Sequence, residues 1–247
     1  MTDLKGKTVL ITGASKRLGR ASALAMAQAG AKVAITYLRS EDAARHTLDE
    51  IQKLGAEGHA IKCDIREEQS IFSAIASTVS KFGKIDILIN NAGFYESVPF
   101  DQISAEQWDN MFATNVRGPF LFSRHAIPEL RKTQGRIIHM GSLGGEKPWA
   151  THAHYCSSKA ALHMLTQVMA KALAPEIAVN CVAPGMIDAG GRKTESDIHL
   201  LNKFADRTPA GRNGEPQDVV DAVMYFATCS KFITGQIMTV DGGLGLV

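Results

Sequence analysis

The sequence predicts a single α/β domain built on a doubly wound parallel sheet, and three observations carry that expectation. Apolar runs of strand length alternate with helical patterns from one end of the 247 residues to the other. The strand runs are apolar almost throughout rather than alternating, as strands covered on both faces are. No repeat, low-complexity tract or linker-like stretch interrupts them, so residues 1–247 are expected to form one domain.

Taken in order, the first strand is the run Thr-Val-Leu-Ile-Thr at 8–12, followed by a glycine-bearing turn and an Ala-rich helix over 19–29. A strand at 32–37 (Lys-Val-Ala-Ile-Thr-Tyr) leads to a helix over 41–54, and a strand at 58–63 to a helix over 67–82. The apolar run at 85–90 precedes a helical region spanning 105–131. Strand 136–140 is followed by helix 153–173, strand 178–183 by helix 216–228, and 236–240 is the last strand. Between the last two of these units, 186–207 is expected to be a substrate loop, with Gly190-Gly191 as a hinge for a lid. It is polar and partly basic at Arg192, Lys193 and Lys203, which does not favour a long acyl chain.

Composition narrows the function. Lys plus Arg is 27 and Asp plus Glu is 25, a net charge of +2, which gives no support for nucleic-acid binding by charge. The longest run without a charged side chain is eleven residues. A membrane-spanning helix needs about 20 apolar residues, so no membrane association is expected. The apolar stretch after Lys5 and Lys7 is short and lacks a small-residue cleavage site, so a cytoplasmic protein is expected. The four cysteines show no metal-ligand spacing and are expected to be packed thiols, Cys156 included.

In an open parallel sheet, ligands bind beyond the carboxyl ends of the strands where the strand order reverses. The turn Gly13-Ala-Ser15-Lys16-Arg17-Leu18-Gly19 follows the first strand. Glycines there let the backbone approach a pyrophosphate, whose charge meets the helix N-terminus. Gly13 and Gly19 are six apart, so this is not the GxGxxG spacing, and no Gly-Lys-Ser/Thr follows to make a P-loop. A fold selecting NAD wants an acid about 20 residues past the glycines for the ribose 2′-hydroxyl. No Asp or Glu occurs between Ala14 and Ser40; Arg39 and Ser40 stand there instead, and they favour the 2′-phosphate of NADPH.

Ser142 follows strand 136–140, Tyr155 comes thirteen residues later, and Lys159 lies one helical turn beyond it. An i, i+4 pair shares a helix face, so the phenol and the ammonium point into one cleft. An ammonium about 4 Å from a phenolate gains on the order of 4 kcal/mol at an effective dielectric near 20. That would draw the phenol from a pKa of about 10 toward roughly 7, suited to protonating an alkoxide at neutral pH. His139 is expected to be a satisfied core histidine, and His152 and His154 ordinary loop residues. Phe94, Tyr95, Trp149 and Met186 are candidate pocket walls.

Over nearly its whole length the chain resembles the short-chain dehydrogenase/reductases. The residues that carry the likeness are Thr12-Gly13…Gly19, Cys63-Asp64-Ile65, Asn90-Asn91-Ala92-Gly93, Asn115, Ser142, Tyr155-x-x-x-Lys159, Pro184-Gly185 and Val240-Asp241-Gly242-Gly243. The resemblance implies a Rossmann-type fold, a homotetramer and a small-molecule substrate. It implies that Tyr155 is the general acid/base, that Ser142 positions the substrate oxygen and that Lys159 holds the nicotinamide ribose. Asn115 would hold a proton-passing water, Asp64 with Ile65 would lie by the adenine, and Asn91, Ala92 and Gly93 would line the cofactor. Pro184, Gly185 and Ile187 would border the carboxamide.

Two departures matter. Arg17 stands where the family's TGxxxGxG has its middle glycine, and Ala189 where Pro-Gly-x-x-x-Thr is usual. Arg17, with Tyr37-x-Arg39-Ser40, resembles the pteridine-reductase branch, whereas Ser142 and Gly93 match ordinary carbonyl reductases. The sequence therefore predicts an NADPH-dependent reductase of a ketone or 3-oxoacyl carbonyl. A dihydropterin reductase is the alternative, and an NADPH-sensing protein without turnover a further one.

Overall fold

The computed structural model describes residues 3–191 and 194–247. Its seven strands are β1 (Thr8–Ile11), β2 (Lys32–Tyr37), β3 (Gly58–Lys62), β4 (Ile87–Asn90), β5 (Arg136–Met140), β6 (Ala178–Pro184) and β7 (Ile237–Val240). They form one sheet in the order β3-β2-β1-β4-β5-β6-β7, parallel at every pairing. The chain runs outward from β1 to β3, returns to the middle at β4, and then runs outward the other way. The order reverses between β1 and β4, and a crevice opens beyond their carboxyl ends.

Among the described residues eight α-helices connect these strands: α1 (Arg17–Gln28), α2 (Glu41–Lys53), α3 (Glu68–Phe82), α4 (Ala105–Phe112), α5 (Gly118–Thr133), α6 (Ala153–Leu173), α7 (Glu195–Arg207) and α8 (Pro216–Thr228). Successive strand residues point to opposite faces. Val9 and Ile11 pack with Val33, Ile35, Met26, Val223 and Phe226 beneath α1, α2 and α8. Leu10 faces the other way, into a second core with Leu88, Ile71, Phe122, Leu130 and Met169 from α3, α5 and α6. The edge strands β3 and β7 are only half-buried, as strands with one neighbour are.

Two elements differ from the sequence expectation. The segment 186–207 is not all loop, because Glu195–Arg207 forms α7; Arg192 and Lys193 lie outside the described residues. The expected helix over 105–131 is broken into α4 and α5 by a π-helical turn, Ala113–Arg117, in which the Gly118 N–H donates to the Ala113 carbonyl five residues back. Pro119 follows and has no N–H, so the donor that Asn115's carbonyl takes in a regular α-helix is missing. The extra residue turns the Asn115 side chain inward.

The ends of β1 and β4 are clasped through Thr12. Its hydroxyl oxygen accepts the N–H groups of Asn91 and Ala92, each at 3.0 Å, while Asn91 Nδ2 donates to the carbonyls of Thr12 and Gly13 at 2.9 and 3.0 Å. A Cβ on Gly19 would stand 2.5 Å from Asn91 Nδ2, so α1 starts this close to β4 only with glycine there. Thr12→Val keeps the shape but orphans the Ala92 N–H and leaves the Asn91 N–H only its bond to the Ile89 carbonyl. It is expected to lower the unfolding free energy by about 2 kcal/mol, read as a fall in the urea midpoint at constant m-value.

Candidate active site

The crevice is a cleft of about 930 Å³ with two arms. Gly13, Lys16, Arg17, Leu18 and Gly19 line it from the β1–α1 turn, Arg39 and Ser40 from the end of β2, and Asp64 and Ile65 from the end of β3. Asn91, Ala92 and Gly93 form its middle beyond β4, and Ser142, Tyr155, Lys159, Pro184, Gly185 and Ile187 its far side. Phe94, Tyr95, Trp149, Met186 and Ala189 also line it. Two residues expected there stand back from the wall. Ser15 turns its carbonyl to Thr47 on α2, and Asn115 lies one layer behind. Thr36, Arg66, Asn110 and Thr114 line the cleft without having been singled out in the sequence. Their signal there is only the position of Thr36 and Arg66 near strand ends.

In the first arm, α1 begins at Lys16 with no side-chain cap, leaving the free N–H groups of its first turn for an anion. Gly13 N donates to Thr36 Oγ1 at 3.1 Å, which ties the turn to β2. Arg17 holds a left-handed backbone, φ 51°, the conformation for which glycine is the usual occupant. Among the described residues Lys16, Arg17 and Arg39 have no ion-pair partner, whereas Arg20 pairs with Glu50, Lys32 with Glu57 and Arg66 with Asp64. Arg66 holds the Asp64 carboxyl below the usual range, with a smaller push from Arg39. Uncapped amides, close-packed glycines and three free cations fit a dinucleotide carrying phosphate groups.

In the second arm, α6 places Tyr155, Lys159 and His163 on successive turns of one face. Burial pushes the Tyr155 phenol up to about 12, against a downward pull from the Ser142 hydroxyl. Burial also brings Lys159 down to about 8, and its ammonium donates to the Met140 carbonyl at 2.8 Å. Lys159 Nζ stands 5.8 Å from the centre of the Tyr155 ring. The expected fall of the phenol toward 7 is therefore not found: burial raises it, and the ammonium is turned toward the Met140 carbonyl of β5. Asn115 Nδ2 donates to the Phe94 carbonyl and to Ser158 Oγ, and its Oδ1 accepts the Phe94 N–H, so this side chain holds the post-β4 loop against α6.

Beneath the site, His163 packs under the Ser142 loop, where its Nε2 accepts the Ser142 N–H at 3.4 Å. A Cβ on Gly141 would meet that nitrogen at 2.4 Å. His139 is wholly buried; Nδ1 pairs with Thr166 Oγ1 at 2.9 Å but Nε2 has no partner, so it is only half satisfied. His154 is buried in the first turn of α6 rather than in a loop, with Nε2 3.4 Å from Glu96. Cys63 and Cys181 are buried, Cys156 and Cys229 partly so.

Comparison with known proteins agrees with this geometry. The family model described as enoyl-(acyl carrier protein) reductase matches residues 13–245. The chain is 37% identical to the 7alpha-hydroxysteroid dehydrogenase of Escherichia coli K12, over 97% of this chain and 94% of that one. It is 35% identical to the 3-oxoacyl-[acyl-carrier-protein] reductase FabG of Staphylococcus epidermidis, over 96% of this chain and 98% of that one. Among solved structures, a dehydrogenase/reductase from Sinorhizobium meliloti 1021 superposes with a TM-score of 0.91 at 37% identity, covering 98% and 96% of the two chains. A 7alpha-hydroxysteroid dehydrogenase complexed with NADH and 7-oxo glycochenodeoxycholic acid gives 0.91 at 35% identity, covering 98% and 95%. Fold and crevice define an oxidoreductase of the Rossmann type. The chain belongs to the short-chain dehydrogenase/reductase family, whose enzymes act on carbonyl and hydroxyl groups with a nicotinamide cofactor. Among the described residues no helix is long and apolar enough to cross a membrane.

The buried histidine has a consequence for acid stability. Burial lowers His139 from 6.5 to about 3, so between these values the unfolded chain binds a proton that the folded one refuses. Stability contributed by neutral His139 is thus complete above the unfolded pKa and is lost as pH falls, by about 1.4 kcal/mol per pH unit. His139→Gln is expected to lose less stability than the parent between pH 6.5 and pH 4, measured by urea unfolding at each pH.

Proposed function

We propose that the protein reduces a ketone-type carbonyl with NADPH, and that Tyr155 delivers the proton. The observation that carries this reading is the composition of the two arms: three unpaired cations at one end, a buried phenol beside a serine hydroxyl at the other. NADPH bound in the cleft supplies the hydride. Lys16, Arg17 and Arg39 offer charge-assisted donors to a 2′-phosphate, and no carboxylate stands between Ala14 and Ser40 to repel it. Asp64, which lines this arm, is engaged by Arg66.

Ser142 Oγ and the Tyr155 phenol both donate toward the substrate oxygen, where negative charge develops as the carbonyl is reduced. A phenol near 12 keeps its proton at neutral pH, and it still surrenders that proton to an alkoxide, a far stronger base. Lys159, held by the Met140 carbonyl beneath Gly93, is placed to hold ribose hydroxyls and to return a proton to Tyr155. Arg17 is the feature that favours dihydropterin, since a guanidinium at the cleft suits a planar polar ring. Ser142 beside the reacting bond favours the carbonyl. Exposed apolar side chains on α4, α5 and α6 (Trp108, Phe120, Met164, Val168) and around β7 (Phe232, Leu246) support a homotetramer. The four unbridged thiols fit the cytoplasm.

Arg39→Asp removes a donor to the 2′-phosphate and adds repulsion. It is expected to weaken NADPH binding by about tenfold or more while leaving NADH within a few-fold, by fluorescence titration. Equal affinities of the parent for both cofactors would overturn the NADPH reading. Tyr155→Phe is expected to cut kcat by about a hundredfold or more with NADPH affinity nearly unchanged. Retention of more than about a tenth of the activity would mean that the proton comes from another group.

A further inference from the structure

The substrate arm has a wall that the proton-transfer set does not use. Two loops, 94–98 after β4 and 149–152 before α6, are stitched edge to edge. Tyr95 OH meets His152 Nε2 at 2.7 Å, Ser97 Oγ donates to Thr151 Oγ1 at 3.0 Å, and Val98 N donates to the Thr151 carbonyl at 2.8 Å. His154 adds its contact with Glu96, and the His152 N–H donates to the Trp149 carbonyl at 3.0 Å. These bonds fix three rings around the Tyr155 phenol. Tyr95 presents its edge at 5.0 Å between centroids and 84°, and Trp149 lies nearly parallel at 6.2 Å and 14°. His152 packs against both, at 4.9 Å from Tyr95 and 5.5 Å from Trp149.

Across the cleft stand Met186 and, from α7, Leu200 and Leu201. Apart from Lys159, the described cations that line the cleft (Lys16, Arg17, Arg39, Arg66) all lie at the starts of α1 and α3 and after β2. A substrate oxygen that reaches Ser142 and Tyr155 therefore sets its substituent against aromatic faces held rigid by hydrogen bonds outside the pocket. Rigid faces of this kind gain most from a flat ring, through offset or edge-to-face contact, with little entropy left to lose. A flexible alkyl chain must be ordered to reach the same contacts.

We propose that Tyr95 and Trp149, braced by His152, form a ring-binding wall that selects neutral ketones bearing a flat ring next to the carbonyl, with Trp149 as the specificity-determining residue. This rests on the carbonyl-reductase reading above. The test uses the purified full chain with NADPH and two ketones of equal carbon count, acetophenone and 2-octanone. The parent is expected to favour acetophenone by about tenfold in kcat/KM, the scale of two aromatic contacts. Trp149→Leu is expected to raise KM for acetophenone about five- to tenfold with kcat nearly constant and to leave 2-octanone unaffected, while Trp149→Phe restores most of the loss. NADPH titration of each variant verifies that the cofactor arm is intact. Turnover of both ketones without discrimination, or equal damage to both by Trp149→Leu, overturns ring selection and leaves the carbonyl reading standing. No turnover of either ketone, or dihydropterin surpassing both, overturns the carbonyl reading and the wall proposal with it.

Discussion

The clasp between β1 and β4 is the constraint from which the rest of the site follows. The reversal of strand order forces these two strands to be neighbours although some eighty residues separate Thr12 from Asn91. Parallel neighbours diverge into different connections at their carboxyl ends, and without a cross-link the exposed backbone groups there would be free to take water. Thr12 and Asn91 satisfy one another's main chain instead, and in doing so they fix where α1 begins. The uncapped amides of α1 then face a set place, beyond which the loop from β4 runs directly to Gly93 and Phe94. Asn115 takes hold of that loop from the π turn and anchors it to Ser158 on α6, the helix that carries Tyr155 and Lys159. The two arms of the cleft are thus positioned by one continuous path of hydrogen bonds, in which the short, buried or half-buried side chains of Thr12, Asn91, Asn115 and Ser158 tie main chain to main chain.

Beneath this path lies a polar layer whose members are kept neutral or weakly charged. His139 and His163 are lowered to about 3 and about 4 by burial, with Lys159 adding to both shifts, and the Cys181 thiol is raised to about 12. A single buried ammonium surrounded by groups that refuse charge is an arrangement in which Lys159 has no competing anion. Its one strong bond goes to a main-chain carbonyl, which is partial compensation only. The cost of keeping it charged is felt as its own fall to about 8, still enough for it to remain protonated at neutral pH. Charge is retained there at the expense of stability, the usual pattern where function opposes folding.

What was legible in the sequence was what depends on local pattern. The strands lie within two residues of their expected ends because strands covered by helices are apolar at most positions, and 153–173 is the observed extent of α6. The helix in 186–207 was hidden: Gly190-Gly191 and the charges Arg192 and Lys193 precede it, and its exposed polar residues read as loop. The break at 113–117 was equally opaque, since Pro119 near the start of a helix is as common as a proline that ends one. Most cleft residues, from Gly13 to Ile187, were found through motif and position. Ser15 and Asn115 stand behind the wall because neither spacing nor motif reports which atom of a turn faces solvent. The phenol departs from the expected pKa for a physical reason. Spacing on a helix brings Tyr155 and Lys159 to one face, but only the fold says that the ammonium turns to Met140 and that burial acts on both groups.

The separation of the two arms bears on how such a site is tuned. On the proposed function, cofactor selection rests on Lys16, Arg17 and Arg39, whose charges are exposed and screened by salt. Substrate selection rests on Tyr95, Trp149 and His152, where contact area and shape decide and ionic strength matters little. The two sets share no partner in the structure, and they meet only through the clasp and through α6. Interactions that share no partner contribute nearly independently, so discrimination between cofactors need not alter discrimination between substrates. Between them, Ser142 and Lys159 are held by main-chain groups and by His163, whereas Tyr155 packs against Tyr95 and Trp149 themselves. On this reading a fold that holds Ser142 and Lys159 from below and its two ligands from separate walls can change what it reduces by changing rings at 95 and 149, and because both rings also pack on Tyr155, the cofactor arm is the one left undisturbed by such a change.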